Sequence, residues 1–296
     1  MLRAVVLGVV QGLTEFLPVS SSGHLVIVPY LLGWRQPQLA FDVALHIGTL
    51  IAVVGYFAAD LWYLATRAVG IGVVEAGEVP RARRTIGLLG VGSVPAAAVG
   101  VTMEGHIEDV FGQPLAVAGF FLVTAALLYS AEVARRRRAR QRIPSGVQDD
   151  DDIPASLDPG RDETTVELVD AVVIGVAQAA ALLPGISRSG STIAAGMFRG
   201  LTREAAARFS FLLSIPAVAG AAIVEVPTLV AGEIGDFSPA QVVVGALAAA
   251  VSGYWAIHYL LRLVTTEDLI GFSRYLVFLA AVVAAGFLWL GPASRL

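Results

Sequence analysis

Apolar runs of about 20 residues, the length an α-helix needs to cross the hydrocarbon core of a bilayer, recur along the whole chain. Inside lipid every backbone polar group must be bonded internally, so such runs admit helices and little else. Two runs are broken by polar, glycine-rich stretches. The first is Leu17-Pro18-Val19-Ser20-Ser21-Ser22-Gly23-His24. The second is Leu183-Pro184-Gly185-Ile186-Ser187-Arg188-Ser189-Gly190-Ser191-Thr192. The 296 residues are 56% apolar and 15% charged, against about 25% charged in soluble domains. The expected fold class is therefore an all-α polytopic membrane protein. The N-terminus runs straight into an apolar stretch without a small-residue cleavage site, so no separate signal peptide is expected. The absence of cysteine excludes disulfides and thiolate metal sites.

Taken in order, residues 4–16 predict a helix too short to span, ended by Pro18 and the Ser20–Gly23 run. A second short segment follows over 22–33. Two half-length segments joined by a serine/glycine turn predict a re-entrant hairpin over 4–33. Long segments are expected over 40–66, 85–103 and 115–134. A polar stretch with Glu104, His106, Glu108 and Asp109 separates the last two. The region 135–165 begins with Arg135–Arg138, Arg140 and Arg142 and carries Asp149–Asp152. Its composition predicts a solvated, disordered linker over 143–165. The second half repeats the order: a broken pair over 168–200, then spans over 206–226, 239–263 and 270–291. The expected domains are a first repeat at 1–134, the linker at 135–165 and a second repeat at 166–296.

The halves also match residue by residue. Gly8-Val9-Val10-Gln11 falls on Gly175-Val176-Ala177-Gln178 at an offset of 167, and at that offset Ser20, Ser22 and Gly23 fall on Ser187, Ser189 and Gly190. Interrupted segments at matching positions are the mark of an inverted-topology repeat, here about six transmembrane helices plus two re-entrant helical hairpins. All 20 basic residues are arginine. If the loops at 67–84, 135–165, 199–208 and 262–274 are cytoplasmic, 16 of the 20 lie inside, which sets the orientation. The first hairpin then enters from outside and the second from the cytoplasm, so that their tips can meet.

Arg188 carries the strongest chemical signal. A charge at mid-bilayer costs about 2.5–3.5 kcal/mol on insertion scales and is tolerated where it faces a polar cavity or an anion. Arginine's planar fork suits phosphate. Ser187, Ser189, Ser191 and Thr192 add hydroxyls, and the helix starting near Ser189 aims its amides at the same place. A structural ion pair is the competing role. Gln11 and Glu15 share one helix face, with Glu15 level with the tip. Glu15 needs a partner, which Arg188, His24 or a divalent cation could supply. Mg²⁺ or Ca²⁺ takes carboxylate and amide oxygens, so Gln11 and Glu15 form half of a candidate metal site. His24 is a candidate base, acid or nucleophile. Ser20, Ser21 and Ser22 are candidate nucleophile, ligand or turn residues. Asp42, His46, His106 and His258 are read as structural or surface groups. Gln178 mirrors Gln11, but Leu182 stands where Glu15 does, so the two half-sites are unequal.

The stretch Gly8–His24 and the stretch Pro184–Thr192 together resemble the undecaprenyl-diphosphatase family of the bacitracin-resistance type. The family pattern is (Glu/Gln)-x-x-x-Glu followed by Pro-Val-Ser-Ser-(Ser/Thr)-Gly-His, with a later Pro-Gly-x-Ser-Arg-Ser-x-x-Thr. Further similarity runs through Phe41–Val53 and Phe209–Val218. The resemblance covers nearly the whole chain apart from the 135–165 insert. It implies a phosphatase that removes the terminal phosphate of a C55-type polyprenyl diphosphate and so recycles the lipid carrier used in cell-envelope glycan synthesis. The site would face the outer side of the plasma membrane. It implies that Glu15 and Gln11 are the acidic pair, His24 the essential histidine and Ser21 a candidate nucleophile. Arg188 with Ser187, Ser189 and Thr192 would be the phosphate-binding loop, with Ser20 and Ser22 beside the substrate. A divalent cation is implied as cofactor. Gln11 departs from the commonest pattern, which has glutamate there. The expected partners are the lipid and the bilayer, with no nucleic acid; a homodimer stays open. The competing class is a polyprenyl-phosphate transporter or flippase, since inverted repeats with broken helices are common in carriers.

Overall fold

The computed structural model describes residues 1–73, 75, 77–111, 113–141, 158, 160–230 and 236–290, and these residues fold into helices. The first half comprises α1 (Leu2–Phe16), α2 (Ser21–Leu32), α3 (Leu39–Tyr56), α4 (Ala58–Val69), α5 (Glu78–Phe111) and α6 (Pro114–Arg140). The second comprises α7 (Leu168–Ala180), α8 (Arg188–Phe198), α9 (Arg203–Val230), α10 (Pro239–Thr266) and α11 (Ile270–Leu290). Six of them, α3, α5, α6, α9, α10 and α11, are long and apolar enough to cross a bilayer.

The halves interlock. The half-helix α1 packs on α10 and its counterpart α7 packs on α5, while α3 meets α9 and α6 meets α11. Matching glycines permit the first two contacts. A Cβ on Gly8 would lie 2.3 Å from the Gly245 carbonyl oxygen, and one on Gly175 would lie 2.4 Å from that of Gly92. The offset seen in sequence is thus a symmetry of packing. Phe16, Phe121 and Phe211 are buried among these helices, with the Phe16 and Phe211 rings edge-on at 5.6 Å.

Ion pairs mark the two ends of the bundle. At one end Arg208 bridges Asp60 at 2.8 Å and Glu163 at 2.6 Å, and Arg136 meets Asp268 at 2.6 Å. There too the fully buried Asp170 sits between Arg161 and Arg199, each at 2.7 Å, and the fully buried Glu132 accepts from Arg135 at 2.5 Å with Arg203 at 3.9 Å. At the other end Arg3 donates to the Arg35 carbonyl at 2.5 Å, and Arg35 faces Asp236 at 3.7 Å. The α1–α2 hairpin starts and finishes at this second end, and α7–α8 at the arginine-rich one. The hairpins therefore enter from opposite ends.

Three expectations are corrected. The run 40–66 is not one span: α3 stops at Tyr56, and α4 follows Phe57 with no buried residue. The turn brings Asp60 to Arg208 on α9, and α4 packs beside α5 instead of extending α3. The end of the linker is also ordered. Arg161 bridges Leu201, its amide donating to the Gly200 carbonyl at 2.7 Å, and Glu163–Thr165 form a 3-10 turn. Asp162 caps that turn, and hydrogen bonds from the Thr164 hydroxyl and amide hold its carboxyl below its ordinary range. Helix α5 continues to Phe111, beyond the expected 103. The rest of the linker, residues 142–157 and 159, and the side chains of Glu104, His106, Glu108 and Asp109 lie outside the described residues.

Candidate active site

Each hairpin tip is a serine-capped helix start. Ser20 Oγ accepts from the Gly23 amide at 3.3 Å, opening α2, and Ser187 Oγ accepts from the Gly190 amide at 3.0 Å, opening α8. Serine at this position satisfies amides that have no partner within the helix. The tips touch: Ser189 Oγ donates to the Leu17 carbonyl at 3.0 Å. Thr124 of α6 locks the second tip, donating to the Gly185 carbonyl at 3.3 Å and accepting from the Ser187 amide at 3.0 Å.

The chemistry-bearing groups gather on Glu15. This buried carboxylate receives Arg188 Nη2 on Oε1 at 2.7 Å and the Ser21 hydroxyl on Oε2 at 2.5 Å. Gln11 Nε2 donates to the same Oε2 at 3.2 Å. Arg188 comes from the second repeat, and Glu15, Gln11 and Ser21 from the first. Its guanidinium also reaches the Ser210 carbonyl at 3.3 Å. Thr192 Oγ1 donates to the Arg188 carbonyl at 2.7 Å and meets Ser210 Oγ at 2.6 Å, so this hydroxyl shapes the arginine-bearing turn. Ser22, half-buried, faces Ser20 Oγ at 3.3 Å.

His24 lies beside this cluster and turns its ring elsewhere: its nitrogens meet the Ser20 carbonyl at 2.7 Å and the Tyr275 hydroxyl at 2.8 Å. His46, read from sequence as structural, is closer to the centre: its Nε2 is 3.8 Å from Glu15 Oε2. It is oriented by its own helix, with Nδ1 2.8 Å from the Asp42 carbonyl one turn back. His258 lies elsewhere, exposed beside Tyr56 and Trp255. Sequence reasoning missed Thr124, Ser210 and Tyr275. The Phe209–Val218 similarity pointed at Ser210's segment without singling it out. Nothing local marked the other two.

A divalent cation such as Mg²⁺ or Ca²⁺ needs hard oxygen donors. Among the described residues no three His, Asp or Glu side chains form a cage. Gln11 Oε1, however, is buried without a hydrogen-bond partner, one helical turn from Glu15. An amide oxygen and a carboxylate give such an ion two hard ligands, leaving its other positions for water and phosphate oxygens, which is the usual habit of Mg²⁺. Gln11 now turns its Nε2 toward Glu15, so the pair would offer an ion two oxygens once that amide turns Oε1 to the carboxylate side.

A profile described as bacitracin resistance protein BacA matches residues 4–282. A protein named undecaprenyl-diphosphatase from Moorella thermoacetica is 40% identical over 292 residues, covering 98% of both chains. One of the same name from Geobacter metallireducens is 41% identical over 275 residues, covering 93% of both. Another, from Rubrobacter xylanophilus, is 41% identical over 287 residues, covering 96% of this chain and 97% of the relative.

Proposed function

The chain belongs to the bacitracin resistance protein BacA family, and from that premise we propose that it is a membrane phosphatase cleaving an undecaprenyl-type diphosphate to the monophosphate and inorganic phosphate. The observation that carries this reading is one carboxylate, Glu15, held between Arg188 of the opposite repeat and the hydroxyl of Ser21.

A guanidinium, a nucleophilic hydroxyl and a base on that hydroxyl are the parts that phosphoryl transfer needs. The terminal phosphate takes over the Arg188 fork, with the amides at the start of α8 aimed at it. Ser21 Oγ attacks the terminal phosphorus as its proton passes to Glu15. The bond from that phosphorus to the bridging oxygen breaks, and the lipid monophosphate leaves with the proton. Water then cleaves the Ser21 phosphoester. Glu15 takes a proton from the water and returns one to Ser21 Oγ, freeing inorganic phosphate. Ser20 and Ser22 shape the first tip, and Ser187, Ser189 and Thr192 the second. Gln11 and Glu15 would hold a divalent cation, Mg²⁺ or Ca²⁺. When bound, such an ion supplies Lewis-acid neutralisation of diphosphate oxygens.

The repeats at 1–134 and 166–296 each supply one tip, joined through 135–165. The arginine-rich end of the bundle is read as cytoplasmic, so the first hairpin enters from the extracytoplasmic side of the plasma membrane and the site opens there. The test is phosphate release from undecaprenyl diphosphate by purified protein in detergent, with no gradient. Wild-type protein releases phosphate, and Arg188→Ala and Glu15→Ala lose it while remaining folded. A carrier would release none, and retention of activity by both variants would sink the assignment.

A further inference from the structure

The two tips carry the same local bonds at matching positions. At each, the capping serine hydroxyl also lies against the serine two residues on, at 3.3 Å for Ser20–Ser22 and 3.2 Å for Ser187–Ser189. Their backbones differ. Ser187 is ordinary extended chain, at φ −70° and ψ 121°. Ser20 stands at φ 70° and ψ 101°, and among the described residues it alone takes a positive φ without being glycine. Such a conformation is strained and persists only where its surroundings hold it.

The Ser20 carbonyl accepts the His24 backbone amide at 3.2 Å, as the Ser187 carbonyl accepts that of Ser191 at 2.8 Å; the additional hold at the first tip is the His24 ring. The Ser20 carbonyl can only accept, so His24 Nδ1, 2.7 Å away, carries the hydrogen. In the neutral ring Nε2 is then bare, and the Tyr275 hydroxyl donates to it at 2.8 Å. The imidazole stacks on the Tyr275 ring at 5.8 Å and 9°, with Phe121 at 5.6 Å on another side. Both ring nitrogens are therefore engaged within this brace. Tyr275 is 251 positions away from His24, on α11 of the second repeat. Its helix is fixed there by Ser273, whose hydroxyl donates to the Ala125 carbonyl at 2.8 Å. At the unstrained tip the residue matching His24 is Ser191, whose buried hydroxyl has no hydrogen-bond partner. Strain and brace occur together at one tip, and both are missing at the other.

We propose that Tyr275 is a positioning residue for the phosphatase reaction: by occupying His24 Nε2 it fixes the tautomer that holds the Ser20 carbonyl, and so keeps the Ser21 hydroxyl on Glu15. The inference rests on the phosphatase reading above. His24 is on this account also a positioning residue, and its ring does not serve as the base or nucleophile. A hydrogen-bond relay of this kind is tested by non-additivity, because Tyr275 acts only through a ring nitrogen that an asparagine lacks. Asparagine places its amide N–H where Nδ1–H stood and offers nothing at Nε2.

The experiment compares full-length wild type, Tyr275→Phe, His24→Asn, His24→Ala and the Tyr275→Phe/His24→Asn pair, by phosphate release from undecaprenyl diphosphate in detergent. Tyr275→Phe is expected to lower kcat by about five- to tenfold, the loss of one hydrogen bond, with KM changed by less than about twofold. His24→Asn retains more activity than His24→Ala. Adding Tyr275→Phe to His24→Asn changes kcat by less than about twofold. Wild-type kcat in Tyr275→Phe, or losses that multiply in the pair, overturns the relay. His24→Asn as inactive as His24→Ala returns His24 to direct chemistry and overturns the proposal. Wild-type protein that releases no phosphate overturns the phosphatase reading itself and this inference with it.

Discussion

Arg188 Nη2 lies 2.7 Å from Glu15 Oε1, across 173 positions of sequence and between the two repeats. The two charges satisfy each other, so an incoming phosphate must take the guanidinium from the carboxylate. This exchange has a consequence for lysine. Lysine keeps the charge but presents a point donor where arginine presents a planar fork. Arg188→Ala should lower kcat/KM by about 10²–10³, the range for losing one preorganised donor to developing charge. Arg188→Lys should recover only part of it. Steady-state phosphate release checks both, and full activity in the lysine variant would mean that charge alone suffices.

Glu15 serves Arg188 and Ser21 in different ways, and isosteric replacement separates the two roles. Glu15→Gln keeps the shape and can still accept a hydrogen bond from Arg188, but it cannot take the Ser21 proton. The expected loss in kcat is about 10²–10⁴, the usual contribution of a positioned base. Ser21→Ala should lower kcat comparably, and the pair of substitutions should lose little more than either alone, because residues acting as a unit are non-additive. Multiplying losses would show that Ser21 and Glu15 work in separate steps.

Gln11 bears on the cation. If its unpartnered Oε1 and Glu15 hold a divalent ion, chelation should lower the rate, and Mg²⁺ or Ca²⁺ should restore it. Gln11→Ala should raise the metal concentration for half-restoration by about tenfold or more, as loss of an oriented ligand does. Titrating metal into stripped protein measures this. An unchanged titration in Gln11→Ala would remove Gln11 from the metal site.

The sequence showed what local residues decide. Pro18 with Ser20–Gly23, and Pro184-Gly185, break helices wherever they occur, so both hairpins were readable. Glu15 and Arg188 were readable as partners because a charge buried in an apolar run needs an opposite charge or an anion. The break at Phe57 was not, since Asp60 finds Arg208 from 148 positions away. The ordered end of the linker was not, since Arg161 is fixed by Asp170, Gly200 and Leu201 through tertiary contacts. His46 and Tyr275 escaped for the same reason. A histidine on an apolar helix and a tyrosine near a helix start carry no mark until the facing helix is known.

The two ends of the bundle contrast a buried with an exposed ion pair. Glu132 is fully buried against Arg135 and Arg203, whose side chains are 3% and 0% exposed. Removing one partner strands buried charge, so Glu132→Ala should cost about 3–5 kcal/mol. Arg35 and Asp236 at the opposite end are 77% and 58% exposed, and Asp236→Ala should stay within about 0.5 kcal/mol. Thermal unfolding in detergent should therefore separate the two variants widely. Similar midpoints would show that the Glu132 cluster is better hydrated than its burial implies.

The glycine contacts make the repeat symmetry testable. Helix α1 approaches α10 at Gly8 as closely as α7 approaches α5 at Gly175. An added methyl meets a backbone carbonyl in both places, which a side-chain rotation cannot relieve. Gly8→Ala and Gly175→Ala should each destabilise the protein by about 1–3 kcal/mol, the cost of overpacking, and by similar amounts. Their effects on activity should differ in kind. Gly8 lies one turn below Gln11 and two below Glu15 on a single rigid helix, so displacing α1 moves the carboxylate itself. Gly175 displaces α7, and the Pro184–Gly185 turn stands between that helix and Arg188. Gly8→Ala should therefore lower kcat more than Gly175→Ala at equal loss of thermal midpoint. Equal losses of kcat would show that the second tip passes strain to Arg188 as directly as α1 passes it to Glu15.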